Sequence, residues 1–445
     1  MPHHLARRDL LKLAALAGLG TAAGGLLSAC SSAPSGAATW SMWSSSAAEG
    51  QVWADFSTHV QQTLGVPSVP TLSPSSGYPT KLDLQLVSGT ASLVTALNGW
   101  LVPTYAARGA HQPLDDLISG DPDFDLDDFY PTIRSIATFD GRTYGIGFDV
   151  APTVLYVNKS MFADRGIPAP SATVPLTWAQ FRDLAVEFGT EPDTYGFTCS
   201  PTIDDLISWI YCAGGAPFDA EQTKSTLGSP ESMEALQFVA DLFLKDEVIP
   251  PITNLVAAIS SSNTISDFVQ GNVAFMHGGP WQIVNARKAK FEWDIIPFPA
   301  GAAGSTPRVS GSVFSIPSSV EGADLELAWR LMKALTSTDV LKIYGKAGRN
   351  NPARESAAAS FATPPANIGI VQQILTGKLP GTGGHPYEIT SNWNEIRILL
   401  QQELPRAFMG QRSISEIVAE VTPRLDVFMH QHQDNLRSAA RRTRR

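Results

Sequence analysis

Four aspartates at alternating positions are the clearest candidate for metal chemistry in this sequence. They are Asp121, Asp123, Asp125 and Asp127. A calcium loop of the EF-hand type needs glycine at its sixth position and glutamate at its twelfth. Those positions hold Leu126 and Thr132 here. We therefore expect a solvated turn that caps the following helix rather than a metal site.

Motifs for nucleophilic catalysis and phosphate binding do not occur in the sequence. The eight histidines do not cluster, and His430 and His432 fall in a polar stretch late in the chain. Gly311 and Ser312 lack the other residues of a nucleophile elbow. No glycine-rich phosphate loop is found. The sequence therefore predicts a protein that catalyses no reaction and needs no metal or cofactor.

Six of the ten tryptophans fall at or near the predicted ends of strands and helices. These six are Trp40, Trp43, Trp100, Trp209, Trp281 and Trp393. Indole faces stack on the apolar faces of sugar rings, while polar neighbours fix the sugar hydroxyls. A single tryptophan belongs to a core more often than to a ligand site. Together, and without a catalytic set, the six favour a binding protein.

The elements that would position these residues alternate between strands and helices. The runs 39–43 and 93–97 are apolar enough for buried strands. Thr177 and Gln180 have capping-box spacing, and Ser229-Pro230 is a second helix start. The alternation predicts an α/β fold. A chain of 445 residues is long enough for two lobes.

The charge of the chain excludes one class of partner. The sequence has 42 acidic and 32 basic residues, which gives a net charge of −10. Binding to nucleic acid needs a basic face. We therefore expect no nucleic-acid partner. We expect the basic tail 437–445 to be a solvated end, with contact to anionic lipid headgroups as the alternative.

The first thirty residues have the pattern of an export signal. Arg7-Arg8 resembles a twin-arginine signal, and 27–30 resembles a lipobox whose cysteine, Cys30, becomes acylated. The apolar stretch 13–27 is shorter than the roughly 20 residues of a spanning helix, which argues against an uncleaved anchor. We expect 1–29 to be a removable signal and 30–38 to be a tether. The protein would then be lipid-anchored on the outer face of the cytoplasmic membrane.

Two further cysteines, Cys199 and Cys212, would lie in a compartment where disulfides persist. The sequence does not show whether their Cα atoms come within bridging distance. A disulfide and a pair of buried thiols therefore stay equally open. A catalytic thiol is much less favoured.

An ordered series of motifs resembles extracellular solute-binding protein family 1, the carbohydrate-binding lipoproteins of ABC importers that include maltose-binding proteins. The main motifs are YGIGFD at 144–149, VLYVNK at 154–159, NVAFM at 272–276 and GGPW at 278–281. Each motif alone is weak, but they occur in the family's order. The resemblance covers nearly the whole mature chain.

The resemblance implies a two-lobe periplasmic-binding-protein fold with hinge-crossing strands. One lobe would contain 39–147 plus 299–345, and the other 148–298 plus 346–436. The chain would cross near 148–153, near 295–298 and again near 345–351. Lobes of this kind close on a ligand by hinge motion.

The resemblance also implies a set of ligand contacts between the lobes. Trp281 and Trp393 would stack on the ligand, and Arg349 would bind a hydroxyl pair or a phosphate. Asp149 would accept hydroxyl hydrogen bonds, with a structural role in the hinge as the alternative. The full set is Ser44, Ser45, Tyr78, Asn98, Trp100, Asp149, Asp204, Asp205, Trp281, Gly311, Ser312, Arg349, Asn350 and Trp393.

The function that follows is capture of a carbohydrate by a monomer and its delivery to ABC permease subunits in the membrane. A glycerophosphodiester or glycerol phosphate is the alternative ligand within the same family. An exported glycoside hydrolase is a second alternative, because Asp149 and Asp204 resemble the carboxylate pair of such enzymes. A structural surface lipoprotein is the third.

Overall fold

A computed structural model describes residues 34–44, 46–258, 261–362, 364–387 and 390–443. The predicted signal 1–29, the predicted lipidation site Cys30 and the predicted contact Ser45 lie outside these residues. The chain divides into a short unit that ends at Ala37 and a compact unit that begins at Ala38. All the strands and helices described below belong to the second unit.

Twelve strands occur in the described part of the chain. They are β1 (Ala38–Trp43), β2 (Ser68–Ser73), β3 (Val94–Asn98), β4 (Thr138–Phe139), β5 (Arg142–Thr143), β6 (Ile146–Pro152), β7 (Val154–Asn158), β8 (Tyr195–Thr198), β9 (Val273–Gly278), β10 (Trp293–Ile296), β11 (Arg308–Ser315) and β12 (His385–Pro386).

Seventeen helices accompany these strands within the same ranges. They are α1 (Ala47–Leu64), α2 (Tyr78–Ser88), α3 (Val102–Arg108), α4 (Asp115–Ser119), α5 (Pro131–Ile136), α6 (Lys159–Asp164), α7 (Trp178–Phe188), α8 (Ile203–Ala213), α9 (Pro230–Leu244), α10 (Leu255–Ala258), α11 (Ser261–Gln270), α12 (Ile283–Ala286), α13 (Gly322–Leu335), α14 (Thr338–Ala347), α15 (Ile370–Leu375), α16 (Trp393–Phe408) and α17 (Ile414–Thr443).

Two separate sheets form the centres of two lobes. In the first sheet the strand order is β12-β11-β3-β1-β2, and β6 also pairs with β11. Strands β2, β1 and β3 are parallel, whereas β11 runs antiparallel to β3 and β6. In the second sheet the order is β10-β7-β9-β8. The predicted α/β fold with two lobes is therefore confirmed.

The first two passages of the chain between the lobes run from one sheet to the other, a third joins the two cores, and β12 later returns to the first sheet. Thr153 separates β6 in the first sheet from β7 in the second, and 297–307 leads back from β10 to β11. The third passage follows residues 351–353, which pair with β6 through Asn351 O and Ala353 N. Ala357 still packs in the first core, and Phe361 packs in the second lobe. Because 351–353 form backbone hydrogen bonds with β6, this passage comes later than 345–351.

Helix α17 packs against both lobes. Val421, Leu425 and Met429 belong to the core of the second lobe. Farther along the same helix, Ala439 is buried in the core of the first lobe, and Leu436 packs against it. One continuous helix therefore links the two cores in addition to the three crossing segments.

Local signals explain where several helices begin. Thr177 and Gln180 form the predicted capping box at the start of α7. The Ser229 side chain accepts a hydrogen bond from the Ser232 N–H, and Pro230 occupies the first turn of α9. At the alternating aspartates, Asp125 accepts backbone hydrogen bonds from Asp127 and Asp128. That stretch is a turn, as the sequence predicts, but it does not cap the following helix, because Tyr130 is the N-cap of α5 and no side chain accepts a hydrogen bond there.

Cys199 and Cys212 are both buried and free, so of the two open alternatives the buried thiols are correct. Burial raises the pKa of both thiols, which keeps them protonated.

Among the described helices, none combines the length and the apolar character that crossing a bilayer requires.

Candidate functional site

A cleft of about 420 Å³ lies between the two sheets. Its floor is formed by the end of β3 at Asn98, by Asp149 within β6 and by 310–312 within β11, all in the first sheet. The strand register places Ser312 opposite Asn98 on one side and opposite Asp149 on the other. Three of the predicted contacts therefore lie in one row across three neighbouring strands.

Close packing of the backbone at this floor requires glycine. A Cβ atom on Gly311 would lie 2.4 Å from Cδ1 of Ile133 and 2.7 Å from the Asp149 carbonyl oxygen. A Cβ atom on Gly99 would lie 2.9 Å from the Gly311 carbonyl oxygen. Only residues without side chains fit at these two positions, so their backbone groups form part of the cleft surface.

Aromatic rings form much of the cleft wall. Trp100 lies in the turn Gly99–Leu101 that follows β3, and Trp281 lies in the turn Pro280–Gln282 that follows β9. Trp43, Tyr344 and Tyr387 line the same cavity. The two turn tryptophans are half-buried, so part of each indole stays accessible to a ligand.

Asp204 is the centre of a charged network on the second-lobe side. It lies in the first turn of α8 and accepts hydrogen bonds from Arg397 and from the Tyr387 hydroxyl. Nη1 of Arg308 lies 3.7 Å from its Oδ1 atom. Burial alone would raise the pKa of Asp204, but the charges and hydrogen bonds of these partners lower it to about 2. Asp204 is therefore ionised and acts as an anchor for two arginines.

These two arginines also contact the aromatic wall. The Arg397 guanidinium lies 4.6 Å from the centre of the Trp100 ring. The Arg308 guanidinium lies 4.9 Å from the Tyr387 ring and 5.9 Å from the Trp281 ring. Such cation–π contacts hold each ring in one orientation. The network around Asp204 thus fixes the aromatic surface as well as the charges.

Asp149 is buried on the opposite side of the cleft, with 5% of its surface exposed. The Tyr344 hydroxyl donates a hydrogen bond to Asp149 Oδ2 at 2.8 Å. Burial raises the pKa of Asp149, although hydrogen bonds from Tyr344, Asn350 and Ser312 oppose this effect. Asp149 therefore joins β6 to the segments around Tyr344 and Asn350, next to the first crossing.

Two further charged groups of the cleft have protein partners. Nη2 of Arg349 lies 2.6 Å from Glu49 Oε1, and Nη1 donates to the Trp281 carbonyl oxygen at 3.3 Å. Asp205 accepts a hydrogen bond from the Ser200 N–H at 2.8 Å, and its Oδ1 atom lies 3.2 Å from Nδ1 of buried His277. Each of these groups is held in place before any ligand arrives.

The structure brings ten of the predicted contacts together in the cleft. These ten are Asn98, Trp100, Asp149, Asp204, Asp205, Trp281, Gly311, Ser312, Arg349 and Asn350. Ser44 does not line the cleft, because its hydroxyl donates to the Ser46 carbonyl oxygen beyond the end of β1.

Two predicted aromatic contacts lie in the cores instead. Trp393 is fully buried in the second lobe, and its indole N–H donates to the Tyr387 hydroxyl at 3.1 Å. It therefore supports Tyr387 from behind rather than touching a ligand. Tyr78 is buried in the first lobe, where its hydroxyl donates to the Ala96 carbonyl oxygen at 2.8 Å. Aromatic character alone did not separate these residues from the cleft tryptophans.

Several cleft residues were not predicted from the sequence. They are Trp43, Ser75, Gly99, Ile136, Arg308, Ser310, Tyr344, Tyr387 and Arg397. The two arginines matter most, but Arg397 is separated from Asp204 by 193 positions in the sequence. No local sequence pattern indicates that Arg397 and Asp204 form a pair. Trp43, which ends the predicted strand 39–43, is the one case in which a sequence signal was present.

The sequence of the chain is similar to those of known binding proteins. A family model described as bacterial extracellular solute-binding protein matches residues 54–367. A protein of Brucella abortus (strain 2308), named as a binding protein, is 23% identical over 359 residues, which cover 78% of this chain and 82% of the relative.

Solved structures agree in fold. The ABC substrate-binding protein of Listeria monocytogenes in complex with cycloalternan has a TM-score of 0.78 at 21% identity, covering 88% of this chain and 99% of that one. The UgpB protein of Mycobacterium tuberculosis in complex with glycerophosphocholine has a TM-score of 0.74 at 17% identity, covering 89% and 99%. Because the family model matches most of its length, the chain belongs to the bacterial extracellular solute-binding proteins.

Proposed function

We propose that this chain is the substrate-binding lipoprotein of an ABC importer, and that it captures a carbohydrate between its lobes and passes it to a membrane permease. The observation that carries the proposal is the cleft itself. Accessible indoles at Trp100 and Trp281 lie beside hydrogen-bonding groups on Asn98, Ser312 and Asn350. Stacking surfaces next to directed polar groups suit a polyhydroxylated ring.

The charges of the cleft favour a neutral solute. Arg349 is paired with Glu49, and Arg308 and Arg397 share Asp204. Asp205 adds a further carboxylate to the same cavity. Since carboxylates of the protein already compensate the guanidinium groups, the cleft presents no large excess of positive charge. The complex of the Listeria relative with cycloalternan is consistent with a sugar ligand.

A glycerophosphodiester is the second candidate, and one observation favours it. Arg308 and Arg397 share a single carboxylate, and the buried Nε of Arg308 has no hydrogen-bond partner among the described residues. The Mycobacterium relative is solved with glycerophosphocholine. Affinity for an anionic phosphodiester should fall as the salt concentration rises, because the Debye length shortens from about 10 Å at 0.1 M to about 3 Å at 1 M and charges farther apart than this are screened. Affinity for a neutral sugar should not.

The direct test is a binding titration of the purified protein with neutral sugars and with glycerophosphocholine. We expect a neutral sugar to raise the melting temperature and to change the tryptophan fluorescence. A ligand at 100 times its dissociation constant adds about 2.7 kcal/mol of stability. Binding of glycerophosphocholine alone would replace the main proposal with the alternative.

A matched pair of variants tests the role of the cleft indoles. Trp281→Ala should weaken sugar binding at least about tenfold, because it removes a stacking surface of the site. Trp293→Ala is the control, since Trp293 is also half-buried but stacks on Tyr156 in the second lobe, away from the cleft. Equal affinities of the two variants would contradict stacking on Trp281.

We also propose that the sugar is released unchanged and that Cys30 carries the lipid anchor. We further propose that the lobe boundaries follow the predicted segments except at two places: β6, which ends at Pro152, belongs to the first lobe, and the third passage follows Ser360. The core positions of Ala357 and Phe361 support that last placement. Incubation of sugars with the pure protein tests turnover. Formation of shorter products would favour the hydrolase alternative.

A further inference from the structure

The segment 437–445 concentrates positive charge in a chain that is otherwise acidic. It contains five arginines and no acidic residue. The signal 1–29 contributes +2 and this segment contributes +5 to the net charge of −10, so residues 30–436 carry −17. A separation of charge of this kind orients a protein in front of a charged surface.

The basic segment continues a helix that the first lobe holds in place. Helix α17 extends to Thr443, and Ala439 is only 6% exposed in the first core. Arg437 and Arg441 are both exposed, and because they are four positions apart they lie on one face of the helix. Ala439 is two positions from each of them and therefore faces the opposite side. This end of α17 thus has one buried face and one basic face.

Contacts within the protein account for little of this positive charge. Arg437 lies 3.2 Å from Asp434, but the two side chains are 70% and 73% exposed, and such surface pairs contribute little. Arginines near a helix C-terminus also stabilise the helix through its dipole. That effect changes the melting temperature and not the binding to a surface, so the two roles can be separated by experiment.

We propose that the end of α17, from Arg437 to Arg445, docks on the anionic phospholipid headgroups of the membrane to which the chain is tethered. The inference rests on the membrane address proposed above. Electrostatic attraction of this kind acts between basic segments and anionic lipids and falls off within a Debye length. The same headgroups repel the acidic body, so the basic helix end is the part of the protein that turns towards them.

The position of the tether brings this helix end near the bilayer. Seven residues separate Cys30 from the start of β1, and a segment of that length reaches about 25 Å when fully extended. Ala38 in β1 and Ala439 in α17 both belong to the first core. An acyl anchor at Cys30 therefore keeps the first lobe, and the end of α17 with it, beside the headgroups. Attachment at two points would stop the lobe from rotating freely about its tether.

Co-sedimentation with lipid vesicles measures this contact without the acyl anchor. The protein used lacks 1–30, which leaves the compact unit from Ala38 onwards intact. The vesicles contain either phosphatidylcholine alone or phosphatidylcholine mixed with phosphatidylglycerol. We expect the wild type to bind only the vesicles with phosphatidylglycerol, and we expect this binding to weaken as the salt concentration rises.

A matched pair of double variants tests the position of the contact. One carries Arg441→Gln with Arg442→Gln. The control carries Lys288→Gln with Lys290→Gln, which removes the same charge at two exposed lysines that follow α12. The arginine variant should bind about tenfold or more weakly, since each basic residue near an anionic surface contributes about fivefold, whereas the control should change by less than about twofold. Melting temperatures show that both variants fold.

Three outcomes would overturn the inference. Equal losses in the two variants would show that binding follows net charge rather than the end of α17. Absence of binding to the vesicles with phosphatidylglycerol would exclude a headgroup contact. Equal affinity for soluble inorganic polyphosphate would assign the segment to an anionic polymer instead of a membrane. Sugar titrations of the same proteins report on the carbohydrate function separately, and that function stands if only the vesicle experiment fails.

Discussion

Replacement of Asp204 by asparagine removes the negative charge that Arg308 and Arg397 share. The side chain keeps its size, so the main effect is electrostatic. The two guanidinium groups would then face an amide in a site where Asp204 has only 21% of its side chain exposed. Removing one partner of a buried ion pair is strongly destabilising, since the other charge stays buried without compensation.

The pKa of Asp204 gives the size of the effect. Its fall from 3.8 to about 2 on folding corresponds to ~2.5 kcal/mol of stability at neutral pH. Because the pKa is lower in the folded state, this stability is fully present above about pH 4 and is lost as the pH falls towards 2. At pH 3 roughly half of it remains.

Urea denaturation of the wild type and of Asp204→Asn at pH 7 and pH 3 measures this contribution. We expect the variant to be less stable by about 2.5 kcal/mol or more at pH 7, and the difference to shrink by about 1 kcal/mol at pH 3. Asp127→Asn is the control, because the Asp127 side chain is 91% exposed in its contact with Arg134 and surface pairs contribute little. A difference between wild type and Asp204→Asn that does not depend on pH would refute the assigned charge network.

Two further predictions concern the first lobe. Burial lowers the pKa of His111 to about 3, so the folded state disfavours its protonation and stability falls as the pH drops below about 6.5. His111→Gln should remove about 2 kcal/mol of the loss between pH 7 and pH 5 in urea denaturation, whereas His430→Gln, at an exposed position, should not. Ala439→Asp should lower the melting temperature because it places a charge against the first core, and the exposed control Ser438→Asp should change it little. An unaltered melting temperature for Ala439→Asp would show that the end of α17 contributes nothing to that core.

Local signals in the sequence predicted the elements that depend on local interactions. The capping box at Thr177 and the proline start at Pro230 both mark real helix ends, since they satisfy the free N–H groups of a first turn. Polar residues after strands also predicted much of the cleft. Asn98 ends β3, and the turn of Trp281 follows β9. Asn98 belongs to the first sheet and Trp281 follows a strand of the second, and these residues come together because both strand ends face the cleft between the lobes.

Long-range contacts could not be predicted in the same way. Arg397 and Arg308 join the site through Asp204 and through aromatic rings of the cleft wall, and these partners are far away in the sequence. Trp393 was assigned to the site but lies in a core, because residue type does not reveal which face of a helix is covered. The two thiols stayed ambiguous because bridging depends on a distance that only the fold determines.

The first core takes residues from both ends of the described chain, with Ala38 in its first strand and Ala439 in the last helix. During synthesis the N-terminal sheet therefore emerges long before β11 and α17, which complete it. Contacts between residues so distant in sequence slow the search for the native state and leave apolar surface uncovered in the meantime. A partly synthesised polypeptide thus exposes an unfinished first lobe until β11 and α17 have emerged.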